Sequence, residues 1–369
     1  MQNPPNIRAP AHTPVLEPMP SPLRETAKGK VVRFLKDNGR RLWWLHSLYA
    51  LGIGVCVVTF AQKGFDHARW LAISLGVAWL LVILFFRVFG SGVRQKSLDG
   101  AAPKAKVHFY VMTYALKNLY QGMLFFLLPF YWKATTFDAP NAWFVLLLGV
   151  CAVLSTLDLV FDRVLMRWVI VAAAFHSIIL FGCLNLVIPA LFTETRTLYS
   201  LLVAAGIALL AFWTLNLPLQ TMKKPGYVAA MVLSIAGGVT LVYFGRIVIP
   251  PAPMYLSAAA VGPKQLDDGR LAMEVKSLHT SVITELLAVT DVQVPGGKGD
   301  RLRHVWRHEG IAIPRSTKDK NVGGPHDTVR LSSSLEGNDL PKRLAGNWSV
   351  DVETEDGQLV GRTSFTVTD

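Results

Sequence analysis

Seven separate stretches of about 20 mainly apolar residues dominate the first two thirds of the chain. That is the length a helix rising about 1.5 Å per residue needs to cross a hydrocarbon core about 30 Å thick. They run from Leu42 to Ala61, Trp70 to Phe89, Val107 to Trp132, Ala142 to Phe161, Val164 to Leu191, Leu198 to Leu219 and Tyr227 to Pro250. In lipid every backbone polar group must be satisfied within the segment, so such stretches are expected to be helices. Composition agrees, because 51% hydrophobic residues and a mean hydropathy of +0.36 lie above the soluble norm and 17% charged residues lie below it. Pro129, Pro189, Pro218 and Pro250 fall near span ends, where a missing N–H costs least.

The cations orient the spans. The segment before the first span and the loops after the second, fourth and sixth carry about 17 Lys and Arg, whereas the alternate loops hold only Lys63, Arg69, Lys133 and Arg196. Short Lys/Arg-rich segments stay cytoplasmic, so the N-terminus is expected inside and the C-terminus outside. After Pro253 there are 14 basic and 16 acidic residues, so the net charge of +12 belongs to the membrane half. It therefore reflects topology and gives no argument for nucleic acid.

Three domains follow: residues 1–41 as a cytoplasmic N-terminus, 42–250 as a seven-helix transmembrane domain and 251–369 as a periplasmic β-domain. The first span follows about 41 polar and basic residues and is longer than a secretory h-region, so it reads as a retained anchor. The opening 25 residues are Pro-rich and without periodicity, which predicts disorder. From Glu25 to Arg41 a basic helix could meet anionic membrane lipids, or merely serve as the positive-inside flank. Cys56, Cys151 and Cys183 all lie in spans, so the β-domain is no disulfide scaffold and no Cys-x-x-Cys metal or redox motif exists.

Polar residues inside the spans are costly and mark candidate sites. In the third span Tyr114, Lys117 and Gln121 recur at spacings of three and four, placing them on one helical stripe. Asp158 near the end of the fourth span is the natural counter-ion for Lys117, and His176 lies mid-way along the fifth. Together they form either a structural pair with a core histidine or a transport or sensing pathway.

Beyond residue 250 the period changes from helical to two. Strands are predicted at Arg270 to Leu278, Val282 to Val294, Arg301 to His308, Gly310 to Ile313, Thr328 to Ser333, Asn347 to Thr354 and Gln358 to Thr368. Seven short strands in roughly 115 residues fit an immunoglobulin-like β-sandwich. In the last pair Trp348, Val350 and Val352 share a face, and Leu359, Gly361, Thr363, Phe365 and Val367 can meet them across an Asp356-Gly357 turn.

The segments "IPPAP", "HVWRHEG", "RLSSS" and "GNWSVDVETEDGQLVGRTSFTV" resemble a family of uncharacterised bacterial membrane proteins, in which a C-terminal domain of unknown function follows a hydrophobic region. The likeness lies mainly in residues 250–369. It implies an architecture and an envelope location, and it carries no catalytic residues with it.

In "RLRHVWRHEG" His304, Trp306 and His308 alternate onto one strand face. The two histidines would lie about 13 Å apart, too far for one zinc. With Arg330 and Ser332 they could form an aromatic and cationic binding surface; alternatively Trp306 is core and the histidines cap the strand. No nucleophile elbow, His-Glu-x-x-His helix, P-loop or dinucleotide fingerprint occurs, so neither enzyme nor cofactor is expected. The chain thus reads as a non-enzymatic inner-membrane protein. Its sandwich is expected to bind a protein or other envelope component, with the bundle as anchor or transducer. The alternatives are a transporter or channel using Lys117, Asp158 and His176, and an assembly subunit of an envelope complex.

Overall fold

Where the sequence predicts its third to seventh apolar spans, the computed structural model has helices. The structure describes residues 103–157, 160–161, 165, 168–192, 194–217, 219–252, 254–263, 271, 274–294, 300–315, 319–323 and 327–369, all within Gly52–Asp369. The first two predicted spans, the N-terminal segment and Cys56 lie outside the described residues.

The helices are α1 (Pro103–Lys133), α2 (Ala142–Thr156), α3 (Val169–Leu191), α4 (Thr197–Asn216), the single turn α5 (Leu219–Met222) and α6 (Pro225–Phe244). Three of them, α3, α4 and α6, are long and apolar enough to cross a membrane. The expectation of seven is therefore not met among the described residues. Helix α2 ends at Thr156, before the predicted Phe161, because Leu157 adopts an extended backbone. Its 15 residues span about 22 Å, short of a full crossing.

Helix α1 turns one stripe inward: Leu116, Tyr120, Leu124, Leu127 and Tyr131, at helical spacings of four and three, are all buried. They pack with Leu148 of α2 and with Ile179 and Leu186 of α3. This core is closely packed. Gly182 shows how close: a Cβ there would lie 3.3 Å from Leu127 and 3.4 Å from Leu148. The Tyr131 hydroxyl donates to the Gly182 carbonyl at 2.9 Å.

The chain leaves α6 through a 3-10 turn at Arg246–Val248 and enters an all-β region of two sheets. Ile249 and Ala252 pack into the helical core, and Met254 into the β core. The "IPPAP" junction is thus built into both halves. Strands β1 (Tyr255–Gly262), β3 (Glu285–Gln293), β7 (Thr328–Glu336) and β6 (Lys320–Gly323) form one sheet in that order. Strands β2 (Ser277–His279), β9 (Leu359–Thr368), β8 (Gly346–Thr354), β4 (Leu302–His308) and β5 (Ile311–Ala312) form the other, with β2 parallel to β9.

The sheets share an aromatic core. Trp348 stacks on Phe365 at 5.9 Å, and Trp306 meets Phe365 edge-on at 6.4 Å. Leu286, Ala288 and Leu335 close it from the opposite sheet. The last hairpin pairs the predicted faces, with Trp348 opposite Phe365, Val350 opposite Thr363 and Val352 opposite Gly361. Gly357 turns it at φ +82°, a left-handed conformation that glycine adopts without steric cost. Strands β1 and β6 were not predicted, and among the described residues of the expected Arg270 to Leu278 strand β2 takes up Ser277 and Leu278, with a bridge at Leu271.

Candidate functional site

Helix α1 carries Lys117 and Gln121 into the bundle, each 7% exposed. Tyr114 is 53% exposed, so the predicted stripe of three is broken. Tyr114 lies about 120° round the helix from Tyr120, whereas Lys117 lies about 60° from it. The Gln121 amide donates to the Ser155 carbonyl of α2 at 2.9 Å. His176, on α3, is buried with its Nδ1 3.1 Å from the Tyr120 hydroxyl. Gln121 Oε1, His176 Nε2 and Ser177 Oγ find no hydrogen-bond partner among the described residues. Asp158, the expected counter-ion of Lys117, lies outside those residues.

In the β region the predicted binding surface is corrected. Trp306 and His304 are buried at 0% and 2% exposure, because β4 turns Leu302, His304 and Trp306 toward the opposite sheet. Arg330 and Ser332 alternate with the buried Leu331 and Ser333 on β7 and so lie on the outer face of the other sheet. Arg330 is clamped there by Asp291 at 2.7 and 2.8 Å. His308 is half-buried, its ring 4.6 Å from Trp348 and its Nε2 3.1 Å from the Ala345 carbonyl. The five residues form no common surface.

What His304 does instead is link the sheets. Its Nε2 lies 2.8 Å from Thr290 Oγ1 and its Nδ1 2.7 Å from Ser333 Oγ. Ser333 Oγ also accepts from Trp306 Nε1 at 2.9 Å. The network closes if the serine proton goes to Nδ1 and the imidazole proton, on Nε2, goes to Thr290. Burial, outweighing the neighbouring Asp319, pushes the His304 pKa down to about 4 and keeps the ring neutral.

Sequence reading missed an ionic cluster on the outer face of the five-stranded sheet. Asp351 is fully buried between Arg307, at 2.7 Å, and Arg362, at 2.6 and 2.8 Å. Glu353 lies 3.2 Å from both Arg303 and Arg307. The Asp351 hydrogen bonds raise the Arg362 pKa, fixing its charge. Alternation toward the outer face was the available signal, since Arg303 and Arg307 on β4 face Glu353 and Ser349 on β8.

It also missed the dock between the two halves. The turn after β8 inserts against the helix ends, where Thr197 Oγ1 donates to Gln358 Oε1 at 2.8 Å and Asn141 Nδ2 to the Leu359 carbonyl at 3.4 Å. Arg246 Nε donates to the Asp356 carbonyl at 2.6 Å. Helix α4 begins at Thr197 with its N–H 3.1 and 3.3 Å from the Asp300 carboxylate, so the β region caps this helix. Burial raises the Asp300 pKa above the usual carboxylate value. On the other side the Arg362 N–H donates to Thr136 Oγ1 at 3.1 Å and Ser364 Oγ to Asp138 at 2.6 Å. Gly361 admits this approach, since a Cβ there would lie 3.3 Å from Thr136 Oγ1.

Residues 25–285 match the family of unknown function DUF5924, and residues 299–367 match the protein of unknown function DUF2914. The chain belongs to the DUF5924 family. No curated protein and no solved structure matches it. The DUF5924 segment reaches through β1 and β2 to the first residue of β3, and the DUF2914 segment begins just before β4. Both sheets therefore combine strands from the two segments. The likeness extends well beyond the expected residues 250–369.

Proposed function

We propose that this DUF5924 member is a non-enzymatic multi-span protein of the bacterial inner membrane with a cytoplasmic N-terminus. Its immunoglobulin-like sandwich, in the periplasm, binds a protein or another envelope component. The dock carries this reading. A tether would suffice to display a domain, whereas Thr197, Asn141, Thr136 and Arg246 hold the sandwich at a fixed orientation on the helix ends. A module so held can pass a load or a signal into the bundle. The strand orders 1-3-7-6 and 2-9-8-4-5 support the immunoglobulin-like assignment, and Trp306 occupies the place of the buried strand-C tryptophan.

The recognition surface we favour is the β4–β5 hairpin. Strand β4 starts next to the dock, where Leu302 faces Thr354, and ends about 20 Å away at His308. There β5 forms the sheet edge, with Ile311 74% exposed and backbone groups open to a further strand. A photo-crosslinking residue at position 311 of the full chain in membranes should yield a discrete adduct that the same residue at exposed position 282 does not. Absence of an adduct at both positions would remove the recognition role. An assembly subunit would use the same hairpin. Transport is the second reading, favoured by the open valences of Gln121, His176 and Ser177 beside buried Lys117; retention of function by Lys117→Met would sink it.

A further inference from the structure

A groove of about 1140 Å³ runs between the last turns of α1 and the first turns of α2. Its volume exceeds the roughly 300–1,000 Å³ of ordinary small-molecule sites. Phe125, Leu128, Pro129, Val145 and Leu146 line it, and Gly149 lies at its far end. From Phe125 to Lys133 the wall is about 12 Å long, most of one leaflet of a core about 30 Å thick. Trp132, Phe137 and Trp143 stand 58–68% exposed around its mouth. Such exposed aromatics on apolar helices mark the level of the lipid headgroups.

Three charged residues border the mouth. The Asp138 carboxylate is taken by Ser364, and the Arg362 guanidinium by Asp351 and the Asp138 carbonyl. Lys133 ends α1 with its ammonium 5.8 Å from the Tyr255 ring centroid, and no carboxylate among the described residues pairs with it. A cation on a flexible stem, at headgroup level above an apolar slot one leaflet deep, is complementary to one class of ligand. We infer that the groove holds a glycerophospholipid, one acyl chain lying along Phe125, Leu128 and Leu146 toward Gly149 and the phosphate meeting Lys133. Arg362 belongs to the sandwich, so the bound lipid lies against the dock. It would become part of the joint between the two halves.

The inference rests on the membrane reading proposed above, and the test separates the two. Full-length chain in native membranes is first washed with alkaline carbonate; release from the membrane would overturn both the membrane reading and the lipid site. Retained chain is extracted in mild detergent, equilibrated with vesicles of phosphatidylglycerol or of chain-matched neutral diacylglycerol, and weighed intact by native mass spectrometry. The wild type should keep one phosphatidylglycerol. Gly149→Phe should lower that occupancy about tenfold, while Gly149→Ala should not, because a Cβ there meets nothing within 4 Å. Lys133→Ala should keep chain binding and lower the preference for phosphatidylglycerol over diacylglycerol about threefold to fivefold, the size of one exposed ion pair. If Gly149→Phe fails to fold, Leu146→Trp narrows the same slot from a side chain already 56% exposed. A membrane-embedded wild type that retains no lipid, or equal retention in the narrowed variants, would overturn the lipid site alone.

Discussion

Each half of the molecule buries a histidine, and the two are treated differently. His304 in the sandwich has a hydroxyl on each ring nitrogen, and one of those hydroxyls also receives a tryptophan N–H. His176 in the bundle has Tyr120 on Nδ1 and no partner on Nε2 among the described residues. A sandwich core that expels water on folding gains from closing the polar valences it buries, as at His304, although Arg315 Nη1 and Gln358 Nε2 find no partner among the described residues. The bundle leaves polar atoms of Gln121, His176 and Ser177 open among the described residues. Closure at His304 thus signals a structural role, and the open valence at His176 leaves room for a further polar group.

The comparison breaks hardest if the sandwich does not need strands from both family segments. Residues 299–369 alone lack β1, β2 and β3, leaving β7 and β6 as the whole of one sheet. Trp306, Trp348 and Phe365 would lose the cover of Leu286 and Ala288. That fragment should show no cooperative unfolding by circular dichroism, whereas residues 254–369 should melt cooperatively. A folded short fragment would show that the DUF2914 segment is a domain by itself. Next in size is Asp351→Ala, which leaves Arg307 and Arg362 facing each other without their carboxylate. It should cost about 3–5 kcal/mol in denaturant unfolding, the range for breaking a buried pair.

His304 gives the third test, through pH. Its folded pKa of about 4 lies below an unfolded value of about 6.5. The unfolded state therefore binds the proton first. Stability from the neutral ring is complete above about pH 6.5 and is lost as pH falls toward 4, by about 3 kcal/mol in all. His304→Leu should abolish that slope at the cost of unpaired Thr290 and Ser333 hydroxyls. If the slope persists in the variant, the titrating group lies elsewhere.

Much of the sandwich was legible because its signals are local. Alternation and an Asp-Gly turn gave the β8–β9 hairpin and its facing residues, though not the register shift between Val352 and Glu353. Strand β1 escaped because "YLSAAAVG" has no polar alternation, so its partner β3 makes it a strand. Strand β6, "KNVG", is four exposed residues at an edge and offers no pattern. Alternation placed His304 and Trp306 on one face of β4 without saying which side of the sheet it was, and the polar histidines made the core look like a surface. In the bundle, apolar runs located helices well, but runs of leucine and valine do not encode where a helix stops, and α2 ended early. The dock was illegible, since Thr197 and Gln358 stand 161 residues apart and neither belongs to a motif.

The smallest expected effect bears most directly on function. Thr197→Val keeps the helix N–H that Asp300 caps and deletes only the hydroxyl that reaches Gln358. One such hydrogen bond contributes about 1 kcal/mol, or about 2–4 °C in melting temperature for a unit of this size. If the dock is a rigid mount, helical and aromatic signals of the full chain in detergent should melt in one transition. The variant should lower that transition as a whole. Separate transitions for the two signals, with only the sandwich responding, would mean that the halves move independently, and the sandwich could then bind a partner without informing the bundle.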